Sequence, residues 1–404
     1  MSMILMRRCL MNKALAIIIV LSLPTSFFIG CEKEHPSIWN PGQEYKPDPV
    51  ITNVEPEEGT FAVIGEVTID GENFSTVKEE NHVYFNGIKA TNLSVTDTEL
   101  VVLAPNVAGD SLKIQLYVDG ALLFAEYYPY KLVLPAKEYG GFDDYDDCYG
   151  IACDLDENLY VSLVGKKVVK VTPDGEQHDY AASSFDKASA IKMGPGGYLY
   201  YVNIMNYMFR VLPEGGTDEL FAALPGGVYD LDFGPSGNIY CGGSGNAIYR
   251  VKPDASSEVA VDYPSVSIKA VRVFDGYVYV GGDSVGHQCI WRNEIISADE
   301  LGANEVYFGW SSEIGSAYNI LSVTFSADGD MYVGTNAPEA IIIVHPDKSY
   351  EPLYPGALEP ESYALCWGNG QYLYVNRRSD DVSKKRIIKV NMLDKEGAPY
   401  YGRQ

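Results

Sequence analysis

A tyrosine recurs at positions 160, 200, 240, 279, 332 and 374. No other feature constrains the fold of this chain so tightly. The text around each copy repeats as well. An apolar strand leads into a D-x-x-G-type turn, the tyrosine follows in a second strand, and an I-x-K-V-x-P-D-G-type hairpin completes the unit. Gly150–Val161 with Val168–Gly175 is the first copy, and Leu365–Val375 with Ile387–Val390 is the last. The tyrosine intervals are 40, 40, 39, 53 and 42 residues. A unit of this length makes one small twisted sheet, which cannot cover both its faces alone, so successive units must stack on one another. The 31 tyrosines and 39 glycines, with little helical periodicity, point the same way, to an all-β chain rich in turns. The recurring tyrosines are therefore architectural before they are anything else.

The pair of hairpins in each unit resembles the blade of an NHL-type β-propeller. The resemblance implies that residues 135–404 form a six-bladed β-propeller, its blades arranged radially around a channel. A ring must be closed, and the segments available for this are Lys137–Gly141 and the C-terminal Pro399–Gly402.

A different pattern occupies residues 49–132. Short alternating strands are separated by turns: Val50-Ile51, then Pro56 and Gly59, then Val67-Thr68-Ile69-Asp70-Gly71-Glu72-Asn73-Phe74, then Val83-Tyr84-Phe85-Asn86-Gly87 and Leu100-Val101-Val102. Asn86-Gly87 between apolar strands is a strong hairpin signal. This series resembles the IPT/TIG domain, an Ig-like β-sandwich, which in surface-glycan systems usually acts as a spacer. The fold class expected for the whole chain is all-β, an Ig-like β-sandwich followed by a six-bladed β-propeller.

Residues 1–30 read as a targeting segment. Arg7, Arg8 and Lys13 precede an apolar run from Ala14 to Leu23, too short to span a bilayer. Phe28-Ile29-Gly30-Cys31 then resembles the lipobox of bacterial lipoproteins, which implies cleavage before Cys31 and lipidation of Cys31. Pro36, Pro41, Pro47 and Pro49 deny the following stretch a helix or central strand, so residues 31–48 are expected to be a flexible tether. Glu32-Lys33-Glu34 resembles the export signal of Bacteroidetes lipoproteins. It implies the outer membrane as location, with the folded part facing the cell exterior.

Charge narrows the partners. Removing residues 1–30 deletes three cations and no acid, so the formal charge falls from −25 to −28. Such a surface repels phosphate backbones, and nucleic acid is excluded as a partner. Cys148, Cys153, Cys241, Cys289 and Cys366 are odd in number and scattered, which speaks for buried free thiols over a disulfide framework or zinc cluster. A Cys148–Cys153 bridge is the alternative. Asp143, Asp144, Asp146 and Asp147 are weak candidates for a structural calcium ion, without the EF-hand spacing; a solvated loop is the competing reading. No other cofactor is expected.

Sites are expected where the repeats differ. In a propeller, the loops between second and third strands and those leading into the next blade gather on one face. There the candidates for ligand binding are Asn203, Asn206, Tyr207, Asn246, Asp283, His287, Asn336 and Arg377, with the blade-entry loops Ser183–Lys187, Gly315–Asn319 and Glu359–Tyr363. The long fourth unit adds Tyr307 and Trp310, unless Tyr307 and Phe308 form an outer strand. Amides, hydroxyls and aromatics suit a neutral polyhydroxylated ligand. No catalytic residue is assigned: the five histidines are dispersed, and no Ser-His-Asp order, H-E-x-x-H or phosphate loop appears. The architecture resembles accessory surface glycan-binding proteins of SusC/SusD-type systems for polysaccharide utilisation. It implies an oligo- or polysaccharide as ligand and SusC/SusD-type importer proteins as partners. A protein- or peptide-binding scaffold of an outer-membrane complex, and a propeller lyase, lactonase or hydrolase, are the alternatives.

Overall fold

The computed structural model describes residues 44–403. Cys31, the targeting segment and most of the tether lie outside the described residues. The chain is an Ig-like β-sandwich followed by a six-bladed β-propeller.

The sandwich follows from strict alternation. Glu66–Glu72 buries Val67, Ile69 and Gly71 and turns the intervening side chains outward, as a strand covered on one face must. It pairs with Val50–Glu55 and Glu99–Leu103, and Thr91–Val95 completes that sheet. The opposing sheet contains Ala125–Val133, Gly109–Val118 and Asn81–Phe85. Ile69, Val83, Phe85, Leu100, Ile114 and Leu116 meet between them, fully buried. Asn86 and Gly87 both take positive φ (46° and 84°), the conformation of a two-residue hairpin turn. At Gly71 a Cβ would meet the Val50 carbonyl at 1.9 Å; only glycine lets the first strand approach so closely.

Each repeat becomes a four-stranded antiparallel blade. The inner strands are Cys148–Cys153, Ala190–Met193, Asp230–Phe233, Val266–Phe274, Ile320–Phe325 and Ser362–Trp367. The recurring tyrosines lie in the second strands, buried between neighbouring blades. The last blade has no outer strand of its own. Ala136–Glu138, which precedes the first blade, fills that place by pairing Ala136 with Val390, Lys137 with Lys389 and Glu138 with Ile388. The ring is thus closed by non-covalent pairing of its two ends. The C-terminal segment has another use. Gly397 bridges to Ser326, Ala398 N–H donates to the Phe325 carbonyl, and the Tyr400 hydroxyl donates to the Met193 carbonyl. It crosses the channel on the face opposite the lead-in loops.

The 53-residue interval is explained within blade four. Its third strand extends over His287–Ser297, Glu300–Leu301 folds back on it, and Glu305–Phe308 is the outer strand. The expectation of a stacking platform on Tyr307 and Trp310 is corrected here. Tyr307 is half-buried in the outer strand, edge-on to Tyr279. Trp310 is fully buried, its indole N–H donating to the Tyr318 carbonyl at 2.7 Å. All five cysteines of the described residues are free, four of them buried and Cys289 half-buried.

Candidate functional site

The repeat presents two positions of every inner strand to the channel. One is the residue in register with the recurring tyrosine: Ala152 faces Tyr160, Lys192 Tyr200, Asp232 Tyr240, Arg272 Tyr279, Thr324 Tyr332 and Cys366 Tyr374. These six side chains form a ring around a cavity of about 310 Å³, which the C-terminal Glu396–Tyr400 lines from the other side.

The second position is created by a β-bulge at the start of each inner strand. In the last three blades Lys269, Leu321 and Tyr363 are the extra residues where the register shifts. In blade one the shift falls at Tyr149–Gly150. In blades two and three, Ser189 and Ala190 both oppose Val202, and Tyr229 and Asp230 both oppose Gly242. A bulge leaves one residue unpaired and re-aims its side chain. Here it sends Ser189, Tyr229, Lys269, Leu321 and Tyr363 into a cavity of about 440 Å³ at the channel mouth. Tyr149 stands behind Tyr363, edge-on, with ring centroids 5.7 Å apart. The Arg378 guanidinium lies 3.9 Å from the Tyr149 ring centre, and Lys187 Nζ donates to the Tyr149 hydroxyl at 2.6 Å.

Buried charge sits between the two cavities. Asp230 accepts from Leu231 N–H and Val271 N–H, both at 2.9 Å, and from Arg272 Nη1 at 2.7 Å. Asp232 accepts from Val273 N–H at 2.8 Å through Oδ2, while its buried Oδ1 has no hydrogen-bond partner among the described residues. Burial pushes the Asp232 carboxyl up, against the pull of Lys192 and Arg272. Burial also holds the Lys192 ammonium below its ordinary range, aided by Arg272 and opposed by Asp232 and Asp230. Desolvation disfavours the charged form of each.

Of the residues expected at the site, Asp283 lines the mouth cavity, with Oδ1 accepting from Gly286 N–H, and so do Asn319 and Tyr363 at the ends of two blade-entry loops. Asn203, Asn206, Asn246 and Asn336 lie in loops outside it. Asn206 and Asn246 offer backbone carbonyls to Leu224 and Tyr263, and the Asn336 side chain accepts from Asn319 N–H. Tyr207 is exposed on the third strand of blade two, and His287 begins the third strand of blade four. Neither is brought to the cavity. Arg377 is ion-paired with Glu138 and Glu359 at 3.6 Å each, away from the mouth. In the acidic loop, Asp144 pairs with Arg386 at 2.8 Å and Asp147 with Arg378 at 2.9 Å. Asp146 and Asp143 cap backbone N–H groups of the same loop. No cluster of three or more metal-ligating side chains occurs among the described residues. The two channel rings were missed in the sequence. Both stand at constant offsets before the tyrosines, eight and eleven residues, one fewer in blade four.

Residues 49–131 match the IPT/TIG domain family. No curated protein shows significant similarity to the chain. Among solved structures, a putative phosphatase from Bacteroides thetaiotaomicron is similar at 12% identity and a TM-score of 0.55, over 88% of this chain and 98% of that one. An auxiliary nutrient binding protein from Bacteroides ovatus is similar at 13% identity and a TM-score of 0.52, over 87% and 99%. A luciferin-regenerating enzyme is similar at 15% identity and a TM-score of 0.53, over 66% and 98%. At these identities the similarity is one of fold.

Proposed function

We propose that the chain is a lipid-anchored protein of the outer cell surface that captures a glycan at the propeller mouth and passes it to a SusC/SusD-type importer. The observation that carries this reading is the bulge ring. Tyr229 and Tyr363 line one cavity of about 440 Å³, with Tyr149 packed edge-on behind Tyr363, beside the hydroxyl of Ser189 and the amide of Asn319. That volume lies within the range of small-ligand sites. Tyrosine faces stack on the C–H faces of sugar rings, and hydroxyls and amides bond their hydroxyls. The shared architecture with a Bacteroides nutrient-binding protein supports a nutrient as ligand. Cys31 and Glu32–Glu34 support the location, and the sandwich serves as the spacer between anchor and ring.

Affinity electrophoresis through gels containing a panel of polysaccharides, followed by calorimetry with oligosaccharides, tests the capture. Tyr229→Ala and Tyr363→Ala are each expected to weaken binding by about 1–2 kcal/mol, roughly five- to thirty-fold, from lost stacking and apolar contact. Unfolding midpoints should stay near the wild-type value. Retention of the wild type by no polysaccharide sinks the reading, and glycan turnover in the same assay replaces it with an enzyme. Palmitate incorporation lost in Cys31→Ser, with protease accessibility on intact cells, tests the anchor and its orientation.

A further inference from the structure

We infer that the mouth selects glycans bearing a carboxylate, and that Lys192 is the residue that holds it. This rests on the glycan reading above and narrows it to sugar acids.

The chain carries 55 acids against 30 cations. Its channel mouth does not share that excess. Lys192, Lys269 and Arg272 line the cavity, with Asp230 and Asp283 as the acids. Both acids are already engaged, Asp230 by Arg272 and two backbone N–H groups and Asp283 by Gly286 N–H. Arg272 is thereby matched by Asp230, and neither lysine has an ion pair among the described residues. Lys269 is exposed at the rim, its Nζ over the Tyr229 ring at 4.8 Å from its centre, so a positive charge covers one face of that ring.

Lys192 is the more telling of the two. It is 9% exposed, and it lines both the mouth cavity and the one beneath, so it stands at the floor of the mouth. It makes no hydrogen bond or ion pair with any described residue; its Nζ lies 5.8 Å from the ring centre of Tyr400, and Asp232 and Asp230 attract it at longer range. An ammonium so placed at the floor of a cavity has donors free for an anion entering from the mouth. A carboxylate delivered from the mouth supplies the missing acceptor as a charge-assisted bond, roughly twice as strong as one to a neutral hydroxyl.

The test uses the chain from Cys31 onward with a non-lipidated first residue, and calorimetry against matched oligosaccharides. Oligogalacturonates and oligomannuronates are each compared with their methyl esters, which keep the sugar and remove the charge. A sulfated oligosaccharide forms the third arm. The expected result is at least tenfold tighter binding of the acid than of its ester. Lys192→Met should abolish that preference, so that acid and ester bind alike. If Lys192→Met does not fold, Lys192→Gln carries the same expectation. Glycan binding without preference for the acid overturns this inference and leaves capture standing. Retained preference in the Lys192 variants overturns the role of Lys192, and preference for the sulfated ligand alone overturns the carboxylate. Binding of no ligand in any arm defeats the capture reading itself.

Discussion

Residue type alone misplaces Trp310. Beside an unusually long interval, with Tyr307 and Phe308 near it, the residue reads as an exposed platform. The structure buries it fully and gives its N–H to the Tyr318 carbonyl. Direction is not written in a side chain's identity, and a large aromatic is as useful to a core as to a ligand. Trp310→Ala is therefore expected to lower stability by about 3–5 kcal/mol, the usual cost of emptying a buried aromatic site. Glycan retention below the melting transition should be intact. Chemical denaturation checks the first expectation and affinity electrophoresis the second, and a stable variant that has lost retention would contradict both. The converse holds at Tyr229 and Tyr363. They lie on bulges at the edge of the channel, so their truncation should cost affinity and little stability.

Elements show a similar division between pattern and placement. The recurring tyrosines announced second strands, and each is buried between blades. Desolvation raises the hydroxyl pKa of Tyr160, Tyr240, Tyr279, Tyr332 and Tyr374, to about 12 at Tyr332. Tyr130, Tyr139, Tyr180, Tyr307 and Tyr354 are likewise pushed to about 12, chiefly by burial. Below pH 10 folded and unfolded chains both keep these protons, so the contribution of the tyrosines is constant. Between pH 10 and 12 the unfolded chain loses them first and binds fewer protons, so stability falls as pH rises. A spectrophotometric titration should show one class of tyrosines ionising near pH 10. A second class should ionise only as near-UV circular dichroism collapses. Ionisation of every tyrosine near pH 10 in a folded chain would refute this. The bulges, by contrast, had left no mark in the reading of the strands. A bulge is a mismatch of register between two strands, and one strand read by itself carries no register.

For the whole molecule, closure is the decisive event. Two segments were available for it, 137–141 and 399–402, and they divide the work. Residues 136–138 can extend and offer a ladder of N–H and C=O groups to the last blade. The C-terminal segment carries Pro399 and ends in a helical turn at Tyr401–Arg403, so it lies across the channel instead. Lys137→Pro removes a donor from the closing strand and is expected to cost about 1–3 kcal/mol, through a backbone group of the last blade left unpaired. A lowered denaturation midpoint would show it. An unchanged midpoint would mean that the ring does not depend on this strand. Tyr400→Phe removes the hydrogen bond to the Met193 carbonyl and should cost about 1 kcal/mol by the same measurement.

Composition and periodicity by themselves determined that this chain is all-β, that a sandwich precedes a ring of six blades, and where each blade lies. Those properties depend on short-range pattern: alternation within strands, turn residues between them, and a repeat length that one sheet accounts for. The binding surface was a property of another kind. The loop residues that differ between repeats lie outside the mouth cavity, Asp283, Asn319 and Tyr363 excepted. Lys192, Tyr229, Lys269 and Tyr363 meet only because six inner strands converge on one axis. Their separations along the chain run from 37 to 171 residues, and nothing local links them. Closure of the ring brought them together, and the bulges turned three of them toward the mouth.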